Sequence, residues 1–191
     1  MSEEKNNGVM KEETEDRKTA QGKKRHQTTV LQDFLFLLLK TAAIAGIVWI
    51  GFHYVYGAFR YQDLSMKPAL KDGDLVFFYR LGKDYQIGDI VIYTDKNGKL
   101  TANRVIAKAG DEVDVDEKGI KLNGAYQQET EITAKTQRFE GGTVFPLTVP
   151  EGQLFVLGDN REHAVDSRIY GCIGKESIKG KVIGIFRRRN F

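Results

Sequence analysis

A mostly β domain outside the membrane, behind an N-terminal single transmembrane helix, is the architecture this sequence predicts, on three observations. Residues Phe34 to Phe59 form an apolar run broken only by Lys40 and His53. Beyond it, short β-branched and aromatic runs recur between turns rich in Gly and Asp. No helix-length amphipathic run interrupts them.

The apolar run is long enough for one span, since about 20 apolar residues cross a bilayer as helix. We assign the helix to residues 30–60, with Lys40 near enough to the inner end to snorkel. Trp49, Phe52, Tyr54, Tyr56 and Phe59 then crowd the outer end as an interfacial aromatic belt. Residues 1–29 are polar, rich in Glu and Lys and free of aromatics, a composition that reads as a disordered tail. Lys23, Lys24 and Arg25 before the span place that tail in the cytoplasm by the positive-inside rule, so residues 61–191 lie outside. A cleavable signal peptide fits poorly, because the run is too long for an h-region and lacks a small-x-small cleavage site.

In the remainder, strands are expected at Leu75–Tyr79, Asp89–Tyr93, Asn103–Ala107, Glu112–Val115, Ile120–Leu122, Leu154–Leu157 and Lys181–Phe186. Asn97-Gly98 and Asn123-Gly124 suit tight hairpins. The more polar stretch 125–148, with Gly141-Gly142, reads as an excursion inserted between core strands.

Composition excludes several function classes. The formal charge of +3 arises from 29 basic and 26 acidic residues, and the domain carries no basic stripe, so no nucleic-acid partner is expected. Arg187, Arg188 and Arg189 cluster at the end and read as a solvated tail, with anionic lipid as the alternative contact. One cysteine, Cys172, permits neither an intramolecular disulfide nor a thiolate zinc cage. With only three histidines, no metal site and no cofactor are expected.

Candidate chemistry lies in four segments. Asp63-Leu64-Ser65-Met66-Lys67-Pro68 follows the span; by itself a serine beside proline is a turn residue. Then come Gly88-Asp89-Ile90-Val91, Arg104-Val105-Ile106 with Gly110-Asp111, and Gly158-Asp159-Asn160-Arg161 with Asp166-Ser167-Arg168 and Gly171. In this order S-M-x-P, G-D-I-V, R-V-I-x-x-x-G-D and G-D-N-R-x-x-x-x-D-S-R-x-x-G resemble the boxes of type I signal peptidases (leader peptidases), from Phe34 to the C-terminus.

The resemblance implies a signal-peptidase-like (LexA-like) β fold and a membrane-anchored serine endopeptidase. In that family a neutral lysine activates the serine, and signal peptides of exported preproteins are the substrates. Ser65 takes the nucleophile's place; Asp63, Leu64 and Met66 fall where the family contacts substrate. Arg104, Gly158, Asp159, Asn160, Arg161, Asp166 and Arg168 become scaffold, with Asp166 and Arg168 as an ion pair. A serine hydroxyl needs a base within hydrogen-bond reach, and a lysine serves only where burial keeps its amine neutral.

Three positions depart from the family pattern. Asn103 stands at the lysine position, and an amide accepts no proton at neutral pH. Asp63 puts a carboxylate where an oxyanion is to be stabilised, and Ala164 replaces the serine that orients the lysine. Three explanations stay open. A different base, His163 or Asp63, serves, imidazole being the side chain that titrates near neutral pH. Alternatively, the chain is a proteolytically inactive accessory protein that binds peptides during pilus or other surface-protein assembly, with pilus or sortase-system components as partners. In the third, it is a slow or specialised protease. Lys108 is expected to face away from Asn103, and Lys67 and Lys99 read as surface charges.

Overall fold

The computed structural model describes residues 30–128, 132 and 134–187. The tail, its Lys23, Lys24 and Arg25, and the terminal Arg188 and Arg189 lie outside the described residues. Two compact units, Met1–Ile50 and Gly51–Phe191, divide the chain.

In the first unit, residues 30–50 form helix α1. Val30–Val55, 26 residues, is a helix long and apolar enough to cross a membrane. Its large side chains are open rather than packed, Leu35, Leu37 and Trp49 being at least half exposed. An exposed helix so largely apolar fits a lipid surrounding better than water.

The second unit opens with a π-helical turn, Gly51–Val55, and passes directly into strand β1, Tyr56–Arg60. This shortens the helix assigned from sequence. Tyr56 and Phe59 belong to a sheet, where Tyr56 pairs with Tyr79 and Phe59 with Val76. Strands β2 (Leu75–Tyr79), β3 (Ile90–Thr94), β4 (Leu100–Lys108), β5 (Glu112–Asp116) and β6 (Gly119–Leu122) follow at the expected places. The short β7 (Ala125–Tyr126) and β8 (Leu147–Thr148) bracket the excursion. Then come β9 (Gln153–Leu157), the single-turn α2 (Ser167–Tyr170), β10 (Ile173–Gly174) and β11 (Ile178–Phe186).

The strands make a seven-stranded antiparallel sheet in the order β1-β2-β11-β3-β4-β9-β10 and a four-stranded one in the order β7-β6-β5-β8. Asn123 and Gly124 both adopt positive φ (51° and 82°) and turn β6 into β7, as an Asn-Gly hairpin requires.

β4 explains how three core clusters meet. Ala102 packs with Tyr61, Met66, Leu70, Val76 and Phe78, while Val105 joins Val91, Tyr93, Leu154 and Val156 on the other face. A register shift against β9 between Val105 and Ala107 then turns Ile106 and Ala107 toward Val113, Val115, Phe145 and Phe155. Asn103, opposite Val91, therefore projects to the Val91–Val105 side before the shift.

Arg187 is not part of a solvated tail. Its guanidinium donates to Asp74 (Nη2 to Oδ2, 2.7 Å) and to the Ala69 carbonyl (3.1 Å), tying β11 to the loop that follows Ser65. The bond from Arg187 holds the Asp74 carboxyl below the usual carboxylate range.

Candidate active site

Ser65 sits in a tight loop after β1, 5 % exposed, and two segments hold it. Its hydroxyl shares a hydrogen bond with the buried Tyr61 hydroxyl at 2.9 Å. Its backbone N–H donates to Asp63 Oδ1 at 2.9 Å, and the same oxygen accepts the Leu64 N–H at 2.6 Å. Its carbonyl accepts the Asn160 N–H at 2.9 Å, while Asn160 Nδ2 donates to the Leu64 carbonyl at 3.1 Å. The G-D-N-R segment thus clamps the serine loop by two backbone carbonyls.

Behind the loop, Asn103 is 1 % exposed and its amide is fully used. Oδ1 accepts the Gly158 N–H (2.8 Å), and Nδ2 donates to Ala102 O (3.1 Å) and Tyr93 Oη (2.7 Å); the reverse orientation sets oxygen and nitrogen against groups like themselves. Tyr93 Oη lies against Tyr170 Oη, completing a polar chain from the interior to α2. Burial pushes the Tyr61 and Tyr170 phenols up to about 12 and the Tyr93 phenol higher still, so all three are neutral at neutral pH. Tyr61 can orient the Ser65 hydroxyl but cannot deprotonate it there.

Gly158 shows how closely these parts meet. A Cβ added to it would lie 2.4 Å from Ala164 Cβ, 2.6 Å from Ser65 O and 3.3 Å from the Asn103 amide. Ser65, Asn103 and Ala164 therefore surround one glycine, and the backbone passes where no methyl fits. Gly158→Ala is expected to cost about 1–3 kcal/mol by overpacking and to displace the Ser65 loop. Thermal unfolding checks the first effect; a wild-type midpoint would mean the contacts are looser than described.

The loop faces a groove of about 670 Å³. Asp63, Ser65, Lys99, Thr101, His163 and Val165 line it, with Tyr93, Tyr170, Cys172 and Ile173 on its inner wall. His163 is exposed there, its Nδ1 3.2 Å from Asn160 Oδ1. Lys99 is a surface charge, as expected, and its Nζ lies 3.5 Å from Asp63 Oδ2 on the groove wall.

The scaffold residues pair internally. Arg104 grips Asp159 through Nε (2.8 Å) and Nη2 (2.6 Å) and donates to the Gly88 carbonyl (2.9 Å), joining three of the four boxes. Asp166 and Arg168, 0 % and 1 % exposed, form a two-pronged ion pair. Arg161 is buried and donates to the Gly158 carbonyl at 2.9 Å. Met66 departs from its expected place: it is fully buried with Leu70, Val76 and Ile92 and fills the core instead of the groove. The Leu70 N–H bonds the Met66 carbonyl at 2.9 Å and closes the turn there. Leu64 is exposed and supplies its carbonyl to Asn160. Lys108 points outward to Gln86 (3.1 Å), and Lys67 is exposed.

Sequence reasoning missed Tyr61, Tyr93, Tyr170 and the pairing of Lys99 with Asp63. Aromatics within strand-like runs signal core, and nothing in their spacing marks a hydroxyl turned to a site.

Comparison with known proteins supports the family resemblance. The family model described as signal peptidase, peptidase S26, matches residues 31–187. A signal peptidase I of Bacillus licheniformis is 29 % identical over 81 % of this chain and 89 % of its own. A probable signal peptidase I-2 of Synechocystis is 32 % identical over 74 % of this chain and 68 % of its own. A signal peptidase IB of Staphylococcus aureus is 27 % identical, over 79 % of this chain and 88 % of its own. With its apolar N-terminal helix and its mostly β domain, this chain belongs to the signal peptidase family, peptidase S26.

Proposed function

We propose that this chain is a membrane-anchored serine endopeptidase that cleaves N-terminal signal peptides from exported preproteins, with Ser65 as nucleophile. One observation carries the reading: a serine held by the G-D-N-R loop lines a groove of about 670 Å³. The basic cluster Lys23, Lys24 and Arg25 favours a cytoplasmic N-terminus and an extracytoplasmic domain. Anchoring in lipid then serves catalysis by positioning, because substrate and enzyme are confined to one plane.

The proton from Ser65 requires an acceptor other than Asn103. His163, on the wall of the same groove, has the side-chain chemistry for it, with Asn160 Oδ1 to fix its tautomer. Arg104–Asp159, Asp166–Arg168, Gly158 and Arg161 hold the loop that holds Ser65 and take no part in bond making.

A second reading is favoured by the interior. Asn103 is locked by Gly158 and Tyr93, and the hydroxyl of Ser65 is bonded to a neutral phenol. On that reading the chain binds peptides without cutting them, as an accessory in pilus or other surface-protein assembly, with pilus or sortase-system components as partners. Full-length protein in lipid, incubated with a preprotein, separates the two. Cutting by wild type, abolished in Ser65→Ala and strongly slowed in His163→Ala, is the expected result. Retained binding of the signal peptide with no cutting by wild type would establish the accessory role instead.

A further inference from the structure

We propose that Asp63 holds the acyl-transfer site in a latent state by occupying the backbone amide of Ser65; the proposal rests on the reading of Ser65 as nucleophile. Acyl transfer at a serine leaves negative charge on the former carbonyl oxygen, and the nucleophile's own backbone N–H is a recurrent donor to it. In this chain that donor is taken. Asp63 Oδ1 lies 2.9 Å from the Ser65 nitrogen and 2.6 Å from the Leu64 nitrogen, so one oxygen accepts both amides of the serine turn. The amide is thus unavailable to a substrate oxygen for as long as the carboxylate stays in place.

Charge adds to occupancy. The oxyanion develops where a donor points, and here that donor points at a carboxylate, so the incoming charge meets a fixed charge of the same sign. The side chain of Asp63 is 34 % exposed on the groove wall, so substrate and carboxylate compete for one place. Lys99 is bonded to it, its Nζ approaching Oδ2 at 3.5 Å from the base of β4. Turning Asp63 fully toward Lys99 frees the Ser65 amide, which makes Lys99 the competitor that opens the site. Asp63 is therefore a positioning residue that acts through the Ser65 backbone.

The experiment compares full-length wild type with Asp63→Ala, Asp63→Asn, Asp63→Ser, Lys99→Ala and Ser65→Ala in detergent, using a fluorophosphonate probe. In that reaction the Ser65 Oγ–P bond forms and the P–F bond breaks. Fluoride leaves, and the hydroxyl proton passes to the buffer. Removing one oxyanion donor commonly costs on the order of 10²–10³ in rate, so freeing one is expected to speed labelling of Ser65 about tenfold or more in Asp63→Ala. Asp63→Asn keeps an acceptor on the amide but drops the charge, and should fall between the two. Asp63→Ser drops the charge while keeping a short polar side chain in the turn, so it too should label faster than wild type, and it keeps the comparison sound if Asp63→Ala unfolds.

Lys99→Ala should label no faster than wild type. In protein labelled with ¹⁵N-serine, the Ser65 amide resonance should move strongly in Asp63→Ala and little in Asp63→Asn, a change that a general loss of stability would not produce. Equal labelling of Ser65 in wild type, Asp63→Ala and Asp63→Ser overturns latency and leaves the nucleophile reading standing. Faster labelling in Lys99→Ala overturns the role given to Lys99. No labelling of Ser65 in any folded variant overturns the nucleophile reading and latency with it.

Discussion

Asn103→Lys combined with Ala164→Ser is expected to raise cleavage of a signal-peptide substrate by about 10² to 10⁴-fold, the range a positioned general base contributes. Position 103 provides what a catalytic lysine needs. It is 1 % exposed, between Val91 on β3 and Val105 on its own strand, so an amine placed there loses hydration and stays neutral in the working range. It also borders the Ser65 loop, since the Gly158 backbone touches both. Ala164 meets the same glycine, and a hydroxyl at that position stands beside the new amine and can hold its orientation. The exchange forfeits the bonds of the Asn103 amide to Gly158 and Tyr93, at about 1–3 kcal/mol. Thermal unfolding must therefore accompany the assay. Asn103→Met, similar in length without an amine, should gain nothing, and adding Ser65→Ala to the double variant should return it to background. A folded double variant that still does not cut, beside a wild type that does not cut, would show that the groove lacks more than a base, which is the accessory reading in chemical form.

The legibility of this chain follows from periodicity and from its limits. Strands β2, β3, β5, β6 and β9 were visible because each is a short β-branched or aromatic run between turn residues, and Asn123-Gly124 marked its hairpin by the backbone it demands. β1 was hidden because Tyr56–Arg60 prolongs the apolar run of the helix, and apolarity alone does not separate the end of a span from a buried strand. The two-residue strands β7, β8 and β10 are too short to show a period. At the site, Ser65, Asn103 and Asp159–Arg168 stand out through the resemblance of the four segments, in their order, to those of type I signal peptidases. Met66 misled, since a residue in such a box can equally be the one that buries the loop. The Asp63 bond to the Ser65 amide and the Tyr61 bond to its hydroxyl are short-range in sequence, yet only backbone geometry reveals them.

Asp166→Ala should be the most destabilising single change among the residues around the site, at about 3–5 kcal/mol, because it strands a buried charge. The Arg168 guanidinium is 1 % exposed and gives Asp166 two bonds, Nε to Oδ1 and Nη2 to Oδ2, both 2.9 Å. Without the carboxylate it keeps the Arg161 carbonyl at 2.8 Å, a weak contact to the Gln137 carbonyl and the face of Phe139, none of them an anion. Asp166 also accepts the N–H of Gly158 and of Arg168, each at 3.1 Å, so its loss loosens the glycine around which Ser65, Asn103 and Ala164 gather. Arg168→Met, which keeps most of the volume, leaves the carboxylate with those two amide donors and should cost less. For a domain of this size, about 1 kcal/mol moves the unfolding midpoint by roughly 3–5 °C, so the two variants are distinguishable by thermal unfolding of the full chain in detergent. Equal shifts would mean that the attraction between the two ions, and not the solitary buried guanidinium, sets the penalty. A negligible shift in Asp166→Ala would mean that water reaches Arg168 and that the loop behind Ser65 is more open than its buried residues indicate.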